Sequence, residues 1–218
     1  MDDGFLILAS TDLITIRRFN AGDIETLHAY RNRTDIGEQR SWLLPWEYDD
    51  AVMFVAEMAM RDPLFERGEW AHLAIERVGH DGLIGDIGVL WQVDDDVAEI
   101  VFTLAPDHRS LGVMTESINA ICKEITESLG LRLIAAIVQI DNDSGRKVLE
   151  RCGFAPVALD GEEEVVYAWK TGGWPMRAET KPKQKAVPKT KAVPKIKVTK
   201  TPKPAPKPAP KKKPAADT

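Results

Sequence analysis

Arg109, Ser110, Leu111 and Gly112 form a short turn between an apolar run ending at Leu104 and a helical pattern starting at Val113. Residues of these types at such a junction suit an anion. Backbone N–H groups at the start of a helix lack intrahelical acceptors, and the helix dipole adds positive potential there. Gly112, without a Cβ, lets a diphosphate approach the main chain. Arg109 can add a charge-assisted contact. The competing reading is a plain strand–turn–helix joint, with glycine for the bend and arginine for solvent, and one glycine does not separate the two.

The elements around that turn follow from residue patterning. Val97–Leu104 mixes β-branched and aromatic residues and reads as a strand, which Pro106 ends by removing a donor. Val113, Met114, Ile118, Ile121, Cys122, Ile125 and Leu129 then recur at helical spacing. Upstream, Leu13–Phe19 alternates with period two as a first strand, and Phe5–Leu8 reads as an extra edge segment. Asn20 or Asp23 can cap a helix running to Tyr30, with Ile24, Leu27 and Tyr30 on its apolar face. A second helix, from about Asp49 to Met60, is expected to turn Val52, Val55, Ala56 and Ala59 inward. Trp70–Arg77 and Leu83–Gln92 make a hairpin about Asp81-Gly82, and Asp94-Asp95-Asp96 leads into the next strand. Arg132–Ile140 is nearly continuous in apolar residues, the pattern of a strand covered on both faces. A helix over Ser144–Cys152 and strands near Ala155–Leu159 and Glu164–Lys170 complete an α/β (α+β) order, a mixed sheet with helices on its faces.

The net charge of −5 conceals two regions of opposite sign. Residues 177–218 carry 14 Lys and Arg against 2 Asp and Glu, which leaves residues 1–176 at −17. The same 42 residues hold nine of the 14 prolines and no aromatic side chain. They repeat Lys-Ala-Val-Pro-Lys and Lys-Pro-Ala-Pro, so a folded domain over 1–176 followed by a disordered basic tail over 177–218 is expected. Such an arm can hold RNA, ribosomal or DNA phosphates, can fold over the acidic domain, or can simply solubilise it. Two cysteines on separate elements read as a reduced, structural pair, and the four histidines make no metal-ligand cluster. Met1-Asp2-Asp3 lacks the positive region of a signal peptide, and Phe5–Ala9 is far shorter than a membrane span, so a cytoplasmic protein with no membrane association is expected.

A second motif follows the covered strand: Asn142-Asp143-Ser144-Gly145-Arg146-Lys147-Val148-Leu149-Glu150-Arg151-Cys152-Gly153-Phe154. It is similar to the N-x-x-S-x-x-V-L-E-x-x-G-F segment of the GNAT superfamily of N-acetyltransferases. Arg109-x-x-Gly112-x-Met114-Thr115-Glu116 resembles that family's pyrophosphate loop, in order and at the right spacing. Tyr30-Arg31-Asn32, Trp42, Ile84-Gly85-Asp86-Ile87-Gly88 and Ala98-Glu99-Ile100 resemble one branch in particular. That branch holds ribosomal-protein N-terminal and some aminoglycoside 6′-N-acetyltransferases. The likeness covers roughly residues 11–171. Five positions depart from it: Met114 replaces Gly or Ala, Ser110-Leu111 replaces Gly-Lys, Gly145 takes the usual Ser position, and Leu149 stands where many members carry a general-acid Tyr.

The resemblance implies a mostly antiparallel sheet with one splayed parallel pair, and acetyl-CoA as co-substrate without a metal. Backbone groups of Phe102, Thr103 and Leu104 would meet the pantetheine arm, and N–H groups across Arg109, Ser110, Leu111, Gly112, Val113 and Met114 would hold the pyrophosphate. Asn142 would contact the pantetheine arm or cap a helix. An amine would then attack the thioester directly, with Glu99 as its base or as an orienting carboxylate and Asp86 in reserve. Ser144 would protonate the leaving thiolate or serve as a cap. Trp42, Trp46 and Trp70 would line the acceptor pocket or pack as core. The acidic domain favours a cationic acceptor, namely a protein N-terminus, a polyamine or an aminoglycoside. The alternative is a non-catalytic acyl-CoA-binding domain tethered to nucleic acid by its tail.

Overall fold

The computed structural model describes residues 7–37, 45–161 and 163–171; Trp42 and the basic arm from Arg177 lie outside them. Eight strands form one sheet in the order β1-β2-β3-β4-β5-β6-β8-β7. They are β1 (Ile7–Ser10), β2 (Ile14–Arg17), β3 (Trp70–Arg77), β4 (Leu83–Trp91), β5 (Val97–Leu104), β6 (Leu133–Gln139), β7 (Ala155–Asp160) and β8 (Glu164–Lys170). Every neighbouring pair is antiparallel except β5 with β6. No helix among the described residues is long and apolar enough to cross a membrane.

The period-two alternation sends one set of side chains to each face. On one face Ile16, Leu73, Ile75, Ile87, Val89, Ile100 and Ile134 meet α4 (Val113–Leu129) and α5 (Asp143–Arg151) in the main core. The expected helical stripe of α4 is the buried one, from Val113 to Ile125. On the other face Phe19, Ala74 and Leu83 pack with Leu27 and Tyr30 of α1 (Ile24–Arg31) and Val55 and Met58 of α3 (Tyr48–Met60). The inward face of α3 is Ala51, Val55 and Met58, and Ala56 is exposed. The periodicity was right, but the facing core rotates the stripe by about one position. Thr34–Gly37 forms a short helix, α2, that the sequence did not signal.

Two local devices fix α1, whose C-terminal residues reach the site. Asn20 and Asp23 make a reciprocal capping box at the turn that precedes it. Arg17, buried on β2, grips Asp23 bidentately at 2.7 and 2.8 Å and donates to Glu76 of β3 at 2.6 Å. Cys122 and Cys152 are buried free thiols, and burial pushes the Cys152 pKa up to about 11.

Candidate functional site

The parallel pair β5–β6 is in register over Val97, Ala98 and Glu99, opposite Leu133, Ile134 and Ala135, and the pairing ends there. Beyond it β6 runs on with β8 and β5 runs on with β4. The sheet therefore opens into a V between β5 and β6, with Glu99 in its last closed row. The phase of the β4–β5 ladder fixes which groups face the gap. Gln92 N–H donates to Val97 at one end and Ala105 N–H donates to Ile84 at the other, with no register shift between. Hydrogen-bonded pairs alternate in an antiparallel ladder, so Val101 and Thr103 turn their backbone groups to β4. Ile100, Phe102 and Leu104 turn theirs toward β6. Of the three strand residues named for the pantetheine arm, Phe102 and Leu104 turn their backbone groups into the gap; Thr103 turns its own to β4, and Ile100 also faces the gap.

The mouth of the V is the anticipated turn. Arg109 follows a short 3-10 turn (Pro106–His108), and its Nε donates to the Leu104 carbonyl at 3.4 Å. Ser110 and Gly112 both have left-handed backbone, φ 65° and φ 80°. Gly112 is the N-cap of α4 and offers no capping side chain, and the first intrahelical bond is Glu116 N–H to the Gly112 carbonyl. The first-turn N–H groups of Val113, Met114 and Thr115 thus have no intrahelical acceptor at the positive end of a 17-residue helix. Val113 and Met114 are 1% and 6% exposed as whole residues, and their side chains pack in the core. The side chains of Ser110 and Leu111 are exposed. A Cβ at Gly112 would meet no protein atom within 4 Å. Its glycine is therefore required by the positive φ, as well as leaving the approach clear.

At the start of α5, Asn142 Oδ1 accepts from Gly145 N–H and from Ser144 Oγ, both at 2.9 Å. The capping role of Asn142 is realised, while its Nδ2 donates to no group among the described residues. Ser144 is exposed and contributes to that cap. Leu149 is fully buried in the main core, so the position of the family's acidic Tyr is apolar here.

On the α1–α3 face, each row of the sheet brings residues of β3, β4 and β5 side by side. Trp70, Leu90 and Glu99 form one row, His72, Gly88 and Val101 the next, and Ala74, Asp86 and Thr103 the third. Asp86 is 1% exposed. It accepts from Tyr30 Oη at 2.6 Å and from Arg31 Nη2 at 2.8 Å, and it lies 3.2 Å from His72 Nδ1. Burial alone pushes its pKa up. The Arg31 guanidinium, then His72 and Tyr30, outweigh that and hold the carboxyl well below the usual carboxylate range. The geometry thus makes Asp86 a buried anchor, not a group open to substrate. Arg31 in turn lies 4.9 Å from the Trp46 ring centroid and 4.5 Å from that of Phe54. Trp46 therefore packs on the anchor. Trp70 is half-buried, tilted against His72 at 5.8 Å. Glu99 is 7% exposed at the closed end of the V.

The V between β5 and β6 thus lies beside a helix start whose N-cap, Gly112, has no capping side chain. Residues 14–155 match the family model described as an acetyltransferase (GNAT) domain. The chain belongs to the GNAT acetyltransferase family. Over 149 residues it is 26% identical to the uncharacterized N-acetyltransferase YoaA of Bacillus subtilis (strain 168), covering 67% of this chain and 82% of that protein. The fold matches an acetyltransferase of the GNAT family from Bacillus anthracis with a TM-score of 0.64 at 20% identity, over 77% of this chain and 99% of that one. It also matches spermidine N-acetyltransferase from Vibrio cholerae, solved with CoA and spermine (TM-score 0.64, 19% identity, 74% and 98% covered). A third match is RimL, a ribosomal-protein alpha-N-acetyltransferase solved with coenzyme A (TM-score 0.65, 15% identity, 75% and 97% covered).

His72 escaped the sequence reading. A single histidine on a strand carries no local signal, and its neighbours emerge only from the β3–β4 register. Counting back from an Asp81-Gly82 turn sets it opposite Trp91; the observed register, with its shift between Ile75 and Glu76, sets it opposite Gly88.

Proposed function

We propose that this GNAT domain transfers an acetyl group from acetyl-CoA to a primary amine that carries positive charge, a protein N-terminal α-amine or a small polyamine-like molecule. One observation carries the reading: the β5–β6 register ends at Glu99, and the backbone groups of Ile100, Phe102 and Leu104 turn into the resulting gap. Pantetheine carries amides at that spacing, and a strand edge with unpaired groups recognises amides by adding a strand-like partner. The pyrophosphate would be held by N–H groups from Ser110 to Thr115, with Arg109 adding charge. Asn142 Nδ2 would donate to the pantetheine arm. Acetyl-CoA supplies an activated thioester; the protein orients the amine, removes its proton and keeps water out.

Glu99 is the carboxylate that draws the amine to the closed end of the V. The surplus of acidic residues over 1–176 raises the local concentration of a cationic acceptor. Both acceptor chemistries are represented among the structural relatives, one solved with spermine and another named a ribosomal-protein alpha-N-acetyltransferase. Incubating the full chain with acetyl-CoA and a panel of polyamines, basic peptides with free N-termini and aminoglycosides, and following thiol release, tests the proposal. Turnover with at least one cationic amine is expected. Saturable CoA binding without turnover on any acceptor would replace the enzyme with a binding module.

A further inference from the structure

We propose that His72 takes the proton from the acceptor amine, held for that task by Asp86, while Glu99 binds the ammonium. This rests on the acetyl-transfer reading above and adds the identity of the proton acceptor.

Position comes first. His72 occupies the first row of the α1–α3 face beyond the closed row of Glu99, level with the opening of the V. Its row is completed by Gly88, and the missing side chain there gives the ring its place. A Cβ built at Gly88 would lie 2.6 Å from His72 Cε1, 2.8 Å from His72 Nε2 and 2.8 Å from Val101 Cγ2. The Nε2 edge of the ring therefore lies across β4 and points toward β5. The side chain is 13% exposed, within reach of a substrate and of solvent.

The tautomer follows from the anchor. Asp86 is held ionised, so it can only accept, and His72 Nδ1 must be the donor across their 3.2 Å contact. In the neutral ring the lone pair is then on Nε2, the atom over Gly88. On protonation the cation faces a carboxylate that Arg31 and Tyr30 already fix from the far side. Among the described residues, the ionisable groups around the ring are Asp86 from β4, Tyr30 and Arg31 from α1 behind it, and Glu99 one row back on β5. The α3 helix brings Phe54, whose ring centroid is 5.1 Å away, and Met58, whose sulfur accepts from the His72 N–H at 3.2 Å.

An ammonium acceptor loses two protons in becoming an amide. One passes to His72 Nε2 and frees the nitrogen lone pair, which forms the C–N bond as the C–S bond breaks. The second passes to the departing sulfur to give the thiol, and His72 returns its proton to solvent. Glu99 takes neither proton.

The test separates proton transfer from positioning. In His72→Gln, kcat falls at least 100-fold, within the roughly 10²–10⁴ range for a general base, and the acid limb of the kcat/KM profile disappears. The dissociation constant for CoA, measured by calorimetry, stays within twofold, and added imidazole restores part of kcat in His72→Ala. Independently of turnover, the His72 ring titrates by NMR in the free wild-type protein at the pH of that limb, its resonance identified by its absence from His72→Gln. Retention of the limb in His72→Gln, or a His72 titration displaced from it by more than one pH unit, overturns the assignment. So does a loss of CoA binding equal to the loss of kcat. A wild-type protein that binds CoA and acetylates no amine overturns the transferase reading itself, and with it this one.

Discussion

Replacing Asp86 by Asn tests the anchor beneath the site. The carboxylate is 1% exposed and takes three donors, from Tyr30 at 2.6 Å, Arg31 at 2.8 Å and His72 at 3.2 Å. An amide keeps one oxygen and turns an NH₂ group toward either Tyr30 or the Arg31–His72 side, where it meets donors. The larger effect is on Arg31, 7% exposed, which loses its buried pair with Asp86. Removing one partner of a buried ion pair costs about 3–5 kcal/mol. In a domain of this size that lowers Tm by about 6–20 °C. Urea denaturation of both proteins, followed by tryptophan fluorescence, measures it. The folded-state pKa of Asp86 is depressed, so its contribution is fully present above its unfolded value of about 4 and is lost as pH falls through the lower folded value. The part of the gap between wild type and Asp86→Asn that comes from the carboxylate's own titration is therefore constant from pH 5 to 8 and narrows only in strong acid, while protonation of His72 against Asp86 widens the gap as pH falls through the His72 titration. A gap below about 1 kcal/mol at pH 7 would put the pair in the class of surface bridges and refute the argument.

Three further outcomes are expected. Gly112→Ala forces a side chain onto φ 80°, which costs about 1–2 kcal/mol or reshapes the turn; CoA affinity falls about tenfold by calorimetry, and a change below twofold would remove the turn from the binding site. Glu99→Gln removes a charge-assisted contact worth about 1.5–3 kcal/mol, so KM for a cationic amine rises about 10- to 100-fold with the acid limb retained; an unchanged KM contradicts its role in drawing the acceptor. Gly85→Ala drives a Cβ into the Thr103 carbonyl oxygen across the β4–β5 ladder; it destabilises the domain by about 1–3 kcal/mol, and wild-type stability would show that the ladder yields there.

Local pattern carried much of this architecture. Trp70–Arg77, Val97–Leu104 and Glu164–Lys170 have the boundaries their alternation suggested, and α4 ends at Leu129 before Gly130 with φ 66°. The turn from Arg109 to Gly112 was legible as a strand-to-helix junction for the same reason: strand, glycine and helix start are contiguous in sequence. What local pattern cannot carry is phase across a ladder. Whether Ile100 or Thr103 faces the V depends on pairing with β4, fixed by bonds at Gln92 and Ala105. The His72–Asp86–Arg31 cluster joins residues from β3, β4 and α1, and no spacing in one segment announces it. Asn142 could not be read as cap or ligand contact until Gly145 N–H was seen to occupy its oxygen.

The central claim is that a CoA thioester lies in the opening between β5 and β6. A crystal structure of the full chain with CoA addresses it most directly. The expected electron density runs from N–H groups between Ser110 and Thr115 to hydrogen bonds with Ile100, Phe102 or Leu104 backbone, with the sulfur near the Glu99 end. CoA bound elsewhere, or a gap closed by direct β5–β6 pairing beyond Glu99, would contradict the account.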